Sequence, residues 1–145
     1  MGKYVSFKII GKPIGKGRPK FSRRGNFIRT YTPEQTVNYE NLVKLSWMQK
    51  MAESGEEGKL EGKIHAYIHA YFKIPTSTSK KKRAQMLYSG YDHKPDADNI
   101  AKSILDALNG IAYDDDAQVV SLTVEKTYGD EECVIVNLEE IEYDD

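Results

Sequence analysis

The chain has 145 residues, with 21 Lys and Arg against 22 Asp and Glu and a formal net charge of -1. That length suits one domain of roughly 100–200 residues, and 39% hydrophobic with 30% charged residues excludes a fibrous or disordered chain. No apolar run approaches the ~20 residues of a membrane span, and no apolar stretch with a small-residue cleavage site opens the chain, so a secretory signal is not expected. A lone Cys133 excludes an internal disulfide and a Cys-rich zinc site, which fits a reducing cytoplasm.

Lys3 to Ile9 mixes β-branched and aromatic residues with polar ones and reads as a first strand. From Gly11 to Tyr31 the glycines and prolines break regular structure, which predicts a long basic loop or an irregular hairpin. Thr32-Pro33-Glu34-Gln35 predicts a helix start, with Thr32 as N-cap, Pro33 in the first turn and Gln35 completing a capping box. Val37, Leu42, Val43, Leu45, Trp47 and Met48 carry that helix to about Ala52. Ile64 to Phe72 alternates strictly and reads as a strand, with His65, Tyr67, His69 and Tyr71 on one face. At strand period His65 and His69 lie about 13 Å apart, too far to chelate one ion. A short basic helix follows, capped within Thr76–Ser79 and running from Lys80 to about Ser89. A second clear helix is expected from Ile100 to Asn109, beginning at Asp98 or Asn99 and stopped by Asn109-Gly110. Gln118–Tyr128 and Cys133–Ile141 read as strands joined at Gly129-Asp130, a hairpin signal. This order predicts a single α+β domain over residues 1–145, a mixed sheet packed by helices, with a basic loop at about 11–32 and a frayed acidic tail at about 142–145.

Near-zero net charge, taken alone, argues against nucleic acid. Its distribution argues the other way. Residues 1–32 hold nine basic residues and no Asp or Glu, whereas residues 114–145 hold twelve acidic residues against Lys126. In the basic segment Lys16, Arg18, Lys20, Arg23, Arg24 and Arg29 alternate with Phe21, Phe27 and Tyr31, so cations for phosphates accompany rings for bases. Lys80, Lys81, Lys82 and Arg83 form a second run. The plainer reading is a solvated surface whose oppositely charged ends pair.

Chemistry concentrates in Lys94-Pro95-Asp96-Ala97-Asp98-Asn99-Ile100-Ala101-Lys102. Pro95 holds Lys94 extended. If the segment stays extended, Asp96 and Asp98 share a side, and Lys102 stands one helical turn beyond Asp98. Asp114-Asp115-Asp116 returns sixteen to eighteen residues after Asp98, and is expected beside the first pair if its strand runs next to the entry segment. Clustered carboxylates repel unless a cation neutralises them, and hard oxygen ligands select Mg²⁺ or Mn²⁺. Such an ion polarises a phosphodiester and lowers the pKa of an attacking water, while Lys102 stabilises phosphate charge. The same residues also suit structural work: Asp98 as N-cap, Asp98–Lys102 as a surface ion pair, Asp114-Asp115 as turn residues. An EF-hand is excluded, because Ala101 and Ala107 stand where Gly and Glu are required.

Three blocks, Lys-Pro-Asp-Ala-Asp-Asn-Ile-Ala-Lys with Ser-Ile-Leu-Asp-Ala-Leu-Asn-Gly, then Asp-Asp-Ala-Gln-Val-Val at 115–120, and Gly-Lys-Gly-Arg-Pro-Lys-Phe at 15–21, resemble the RusA family of Holliday junction resolvases, common in bacterial prophages. The resemblance implies a small α+β fold, a homodimer, and paired symmetric nicks in four-way DNA junctions during recombination and repair. It implies a divalent metal, normally Mg²⁺, with Mn²⁺ as substitute, held by Asp96, Asp98 and Asp116 with Asp115 as the adjacent family acid. It assigns Lys102 to catalysis and implies no membrane and no organic cofactor. DNA contacts are expected from Lys16, Arg18, Lys20, Arg23, Arg24 and Arg29, with Lys80–Arg83 adding more. Two other functions fit the same features: a non-catalytic DNA-binding recombination accessory of the same fold, and a general Mg²⁺ nuclease acting on forks or flaps.

Overall fold

Alternating burial decides the sheet. The computed structural model describes residues 2–142. In it β1 spans Tyr4–Ile10, β2 Lys20–Arg24, β3 Phe27–Tyr31, α1 Glu34–Ser54, β4 Ile64–Lys73, α2 Lys80–Met86, α3 Ala97–Leu108, β5 Val119–Gly129 and β6 Cys133–Glu140. A single 3-10 turn at Asp116–Gln118 leads into β5. Val5, Phe7 and Ile9 of β1, five alternate residues of β4 from Ile64 to Phe72, and Val134, Val136 and Leu138 of β6 are buried. Period two places each set on one face, and α1 and α3 supply the residues of the common core. On the other face His65 and His69 bond to Ser121 Oγ (2.8 Å) and Thr127 Oγ1 (3.0 Å) on the neighbouring strand.

The four-stranded sheet has the order β1-β6-β4-β5, antiparallel except for parallel β4 and β5, and β2 pairs β3 in a separate hairpin. The expected hairpin between the last two strands does not form: β4 lies between β5 and β6. The reason is burial. Strand β4, apolar on one face and ringed with Tyr and His on the other, takes an interior place. Strand β5 carries Ser121, Thr123 and Glu125 and tolerates the edge. A parallel neighbour needs a long crossover, which α2 and α3 provide.

Helix α1 begins at Glu34. Thr32 does not cap it, because Pro33 occupies the N-cap position in extended geometry without a side-chain cap bond. The helix buries Thr36, Tyr39, Val43 and Trp47, and Trp47 meets Phe7 edge-on at 5.6 Å between ring centres. Helix α3 begins at Ala97, three residues ahead of the expected Ile100, so Asp98 is already helical. An acid in the first turn complements the helix dipole, which favours that early start. The helix buries Ile100, Ile104 and Leu108 at spacing four, each contributing about 1.5–3 kcal/mol by leaving water. Gly110, at φ 78, ends it as expected. Buried Tyr113 then folds the chain back and donates its hydroxyl to the Leu105 carbonyl at 2.6 Å. Among the described residues no helix is long and apolar enough to cross a membrane. Most of the expected acidic tail, residues 143–145, lies outside the described residues.

Candidate active site and nucleic-acid surface

The first acidic group sits at the N-terminus of α3. The chain arrives along β5, where the Tyr91 amide donates to the Lys126 carbonyl. It then makes a cis Lys94–Pro95 peptide. Asp96 is extended, in the N-cap position, and makes no cap bond to the helix amides. Its carboxylate is held by Lys94 instead, at 2.8 Å to each oxygen. That hydrogen bond, with the charges of Lys94 and Lys126, lowers the Asp96 pKa. Lys126, which sequence reasoning passed over, donates its ammonium to the carbonyls of His93 (2.8 Å) and Pro95 (2.9 Å) and so pins the approach to Asp96. Its one clue was being the only Lys or Arg among the twelve acidic residues of 114–145. Asp98 and Lys102 are exposed one turn apart on α3, and no ion pair joins them, so the surface-pair reading does not hold.

The basic segment is anchored here by glycine. A Cβ on Gly15 would stand 2.9 Å from Pro95 Cβ and 3.1 Å from Asn99 Cβ, and one on Gly17 would stand 2.7 Å from Thr36 Oγ1. Only bare backbone fits, which lets the Lys16 amide reach the Asn99 carbonyl (2.8 Å) and the Gly17 amide reach Thr36 Oγ1 (3.0 Å). The result is a shallow cleft whose wall includes Lys12, Lys16, Lys94, Asp96 and Asn99.

The second acidic group forms at the opposite end of α3. The Asp116 amide donates to Asn109 Oδ1 at 3.1 Å. Asp115 caps the 3-10 turn by accepting from the Ala117 amide at 2.9 Å. Gln118 closes the loop, its Oε1 accepting from the amides of both Asp114 and Asp115 at 3.0 Å. Asp-Asp-Ala-Gln therefore has a clear structural role: it shapes the turn that presents Asp116. Burial, then the hydrogen bond and charge of Asp115, then the charge of Asp106, raise the Asp116 pKa. Asp106 was not singled out from sequence. It lies eight residues after Asp98 and four after Lys102, so all three share one face of α3.

Geometry separates the two groups. Asp98 and Asn109 are eleven residues apart on a straight helix, roughly 16 Å at 1.5 Å per residue. Carboxylates sharing one magnesium ion each lie within about 2.1 Å of it. Among the described residues, no three His, Cys, Asp or Glu side chains are grouped to hold a metal ion. The expected return of Asp116 beside Asp96 and Asp98 does not occur within one chain. The reason is that β5 starts at the far end of the sheet from Asp96, being parallel to β4. A single chain presents two half-sets of carboxylates and does not by itself fit a three-carboxylate cation site.

The expected DNA-binding cations divide. Lys16 is tied to Glu40 and Asp106, the latter at 3.3 Å. Burial works to lower its pKa, but those two carboxylates outweigh it and leave the pKa raised. It braces the site rather than projecting from it. Arg83 donates to the Pro75 carbonyl at 3.0 Å, and Arg23 to the Gly25 carbonyl at 3.2 Å. Lys80, Lys81 and Lys82 are exposed on α2, which Ser79 caps. Lys20, Arg24 and Arg29 are exposed on the β2–β3 hairpin, and Arg18 is exposed at its root.

Carboxylates at both ends of one helix, beside an acid-free cationic arm, are a combination suited to the class of proteins that handle phosphodiesters. The family comparison makes that class specific. The profile of Endodeoxyribonuclease RusA matches residues 11–139, and the chain belongs to this family. With membership come endodeoxyribonuclease chemistry and a general dependence on divalent metal. The chain is also 31% identical over 137 residues to the uncharacterized protein YqaN of Bacillus subtilis strain 168, covering 94% of this chain and 96% of that one.

Proposed function

We propose that this protein is a Mg²⁺-dependent endonuclease that nicks four-way DNA junctions at paired symmetric positions, as a two-fold dimer, in DNA recombination and repair. Mn²⁺ substitutes for Mg²⁺. The observation that carries the proposal is the pair Asp96 and Asp98 at the start of α3, with Lys102 one turn on, beside the cleft where the cationic segment is anchored. A divalent cation, when bound, supplies charge neutralisation at the scissile phosphate. The chain itself places Lys102 for the phosphate oxygens, and Lys12 and Lys94 on the approach.

A second copy resolves the separation of the acids. Among the described residues, the outer edge of β5 from Val120 to Glu125 has no strand beside it, since Tyr88–Tyr91 covers only its C-terminal end. Val120 and Leu122 there are 52% and 46% exposed. An unpaired edge that carries exposed Val120 and Leu122 among its polar residues is open to another strand. Two β5 edges paired antiparallel about Leu122 set Lys126 of one chain opposite Gln118 of the other. Asp116 of the second copy then lies at the Asp96–Asp98 end of the first. Each of the two composite sites draws Asp96, Asp98 and Lys102 from one chain and Asp116, with Asp115 beside it, from the other.

The test is cleavage of a synthetic four-way junction, a fork, a flap and a linear duplex with Mg²⁺, Mn²⁺ or EDTA. Paired nicks in the junction, lost in Asp98→Asn with binding retained, are expected. Cutting of forks or flaps in preference to the junction overturns the junction reading. Absence of cleavage with every divalent ion overturns the enzyme reading in favour of a binding accessory.

A further inference from the structure

The β2–β3 hairpin is exposed along its whole length. Phe21, Phe27 and Ile28 are 73%, 82% and 69% exposed. An isolated two-stranded ribbon is marginal in water, and large exposed apolar side chains clustered on it mark a contact surface. Gly25, at φ 59, makes the two-residue turn that the hairpin needs.

The register sorts its side chains. Lys20 faces Tyr31, Ser22 faces Arg29 and Arg24 faces Phe27 on one side of the ribbon. Phe21 faces Thr30 and Arg23 faces Ile28 on the other. Because Arg23 turns back to the Gly25 carbonyl, this second side presents Phe21 and Ile28 with little charge. The first side presents three cations between two rings, and no Asp or Glu occurs anywhere in residues 1–32. Charge complementarity therefore favours a polyanion as the occupant.

We infer that the hairpin is a junction-sensing arm. Lys20, Arg24 and Arg29 lie along phosphates, and Phe21 with Ile28 wedges into the base stack at the branch point. This rests on DNA being the substrate, as proposed above. Apolar wedges unstack bases at a free-energy cost in continuous duplex. At a branch point the stack is already interrupted, so the same insertion is cheap. The arm thereby favours branched over linear DNA without reading sequence.

The experiment places 2-aminopurine next to the branch point of a four-way junction and adds protein in EDTA, where no cleavage proceeds. Wild type raises the fluorescence and binds the junction more tightly than linear duplex. Phe21→Ala/Ile28→Ala abolishes the rise and weakens junction binding about tenfold, from stacking worth roughly 5- to 150-fold per base. Its linear-duplex affinity and melting temperature stay at the wild-type values. Arg24→Ala/Arg29→Ala instead weakens both substrates and lowers the salt slope by about 2. If the Phe21/Ile28 variant keeps the fluorescence rise and the junction preference, the wedge is wrong while the nuclease reading stands. If its defect is loss of the dimer, the apolar side covers a second copy and the wedge is also wrong. If wild type binds no DNA at low salt, the substrate reading and the wedge fall together.

Discussion

Combining Asp98→Asn in one copy with Asp116→Asn in the other separates a site shared between chains from a site private to each. Asp98 stands in the first turn of the twelve-residue α3, and Asp116 in the turn held by Asn109 at its other end; the helix between Asp98 and Asn109 spans roughly 16 Å, against the ~4 Å that separates two oxygens on one magnesium ion. Each substitution alone, present in both copies, damages both composite sites. The loss should exceed the 10–100-fold that changes to outer-shell groups cost. In the mixed dimer one composite site loses both acids and the other keeps its full set. Differently tagged copies, co-expressed and purified through both tags, yield that mixed dimer free of homodimers. Its nicking rate on a four-way junction should reach about half that of wild type, from one intact site of two. The product should be singly nicked rather than resolved. A site private to each chain gives the opposite outcome, because every site then lacks one carboxylate. Mixed dimers as inactive as the two parents would refute the shared site. Leu122→Lys, which buries a charge at the proposed strand pairing, should leave a folded monomer without nicking activity.

Asp116→Asn should raise the melting temperature at pH 7. The folded-state pKa of Asp116 is raised, so its folded form binds a proton more readily than the unfolded chain does. Its stabilising contribution is present below the ordinary value of 3.8 and disappears as pH rises through the higher folded value. The advantage of the Asn variant should therefore shrink as pH falls towards 4 in thermal melts, and a constant gap across pH would contradict it. Gly15→Ala drives a methyl against Pro95 and Asn99. It should cost about 1–3 kcal/mol, or roughly 3–10 °C in melting temperature, and weaken junction binding through the displaced cationic segment. An unchanged melting temperature would show that the segment is not anchored there.

Much of this protein is legible in its residues. Period-two burial on β4 and period-four burial on α3 follow from side chains alone, because local geometry fixes which face each presents. Segregation of charge, with no acid in residues 1–32, is a property of the chain before it folds. The motif residues Asp96, Asp98, Lys102 and Asp116 are likewise visible, since they belong to short contiguous blocks. Tertiary structure decided where those blocks stand. The Gly129-Asp130 turn looked like a hairpin because a turn specifies only its own few residues. Whether the flanking strands pair depends on which strand most needs an interior place, and here β4 took it. That placement makes β5 parallel to β4, carries Asp116 to the far end of α3, and leaves the Val120–Glu125 edge open. It also shows Lys16, first read as a phosphate contact, committed to Glu40 and Asp106. The chain writes the chemistry locally, but the distance between its acids is set by non-local strand order, which no short motif encodes.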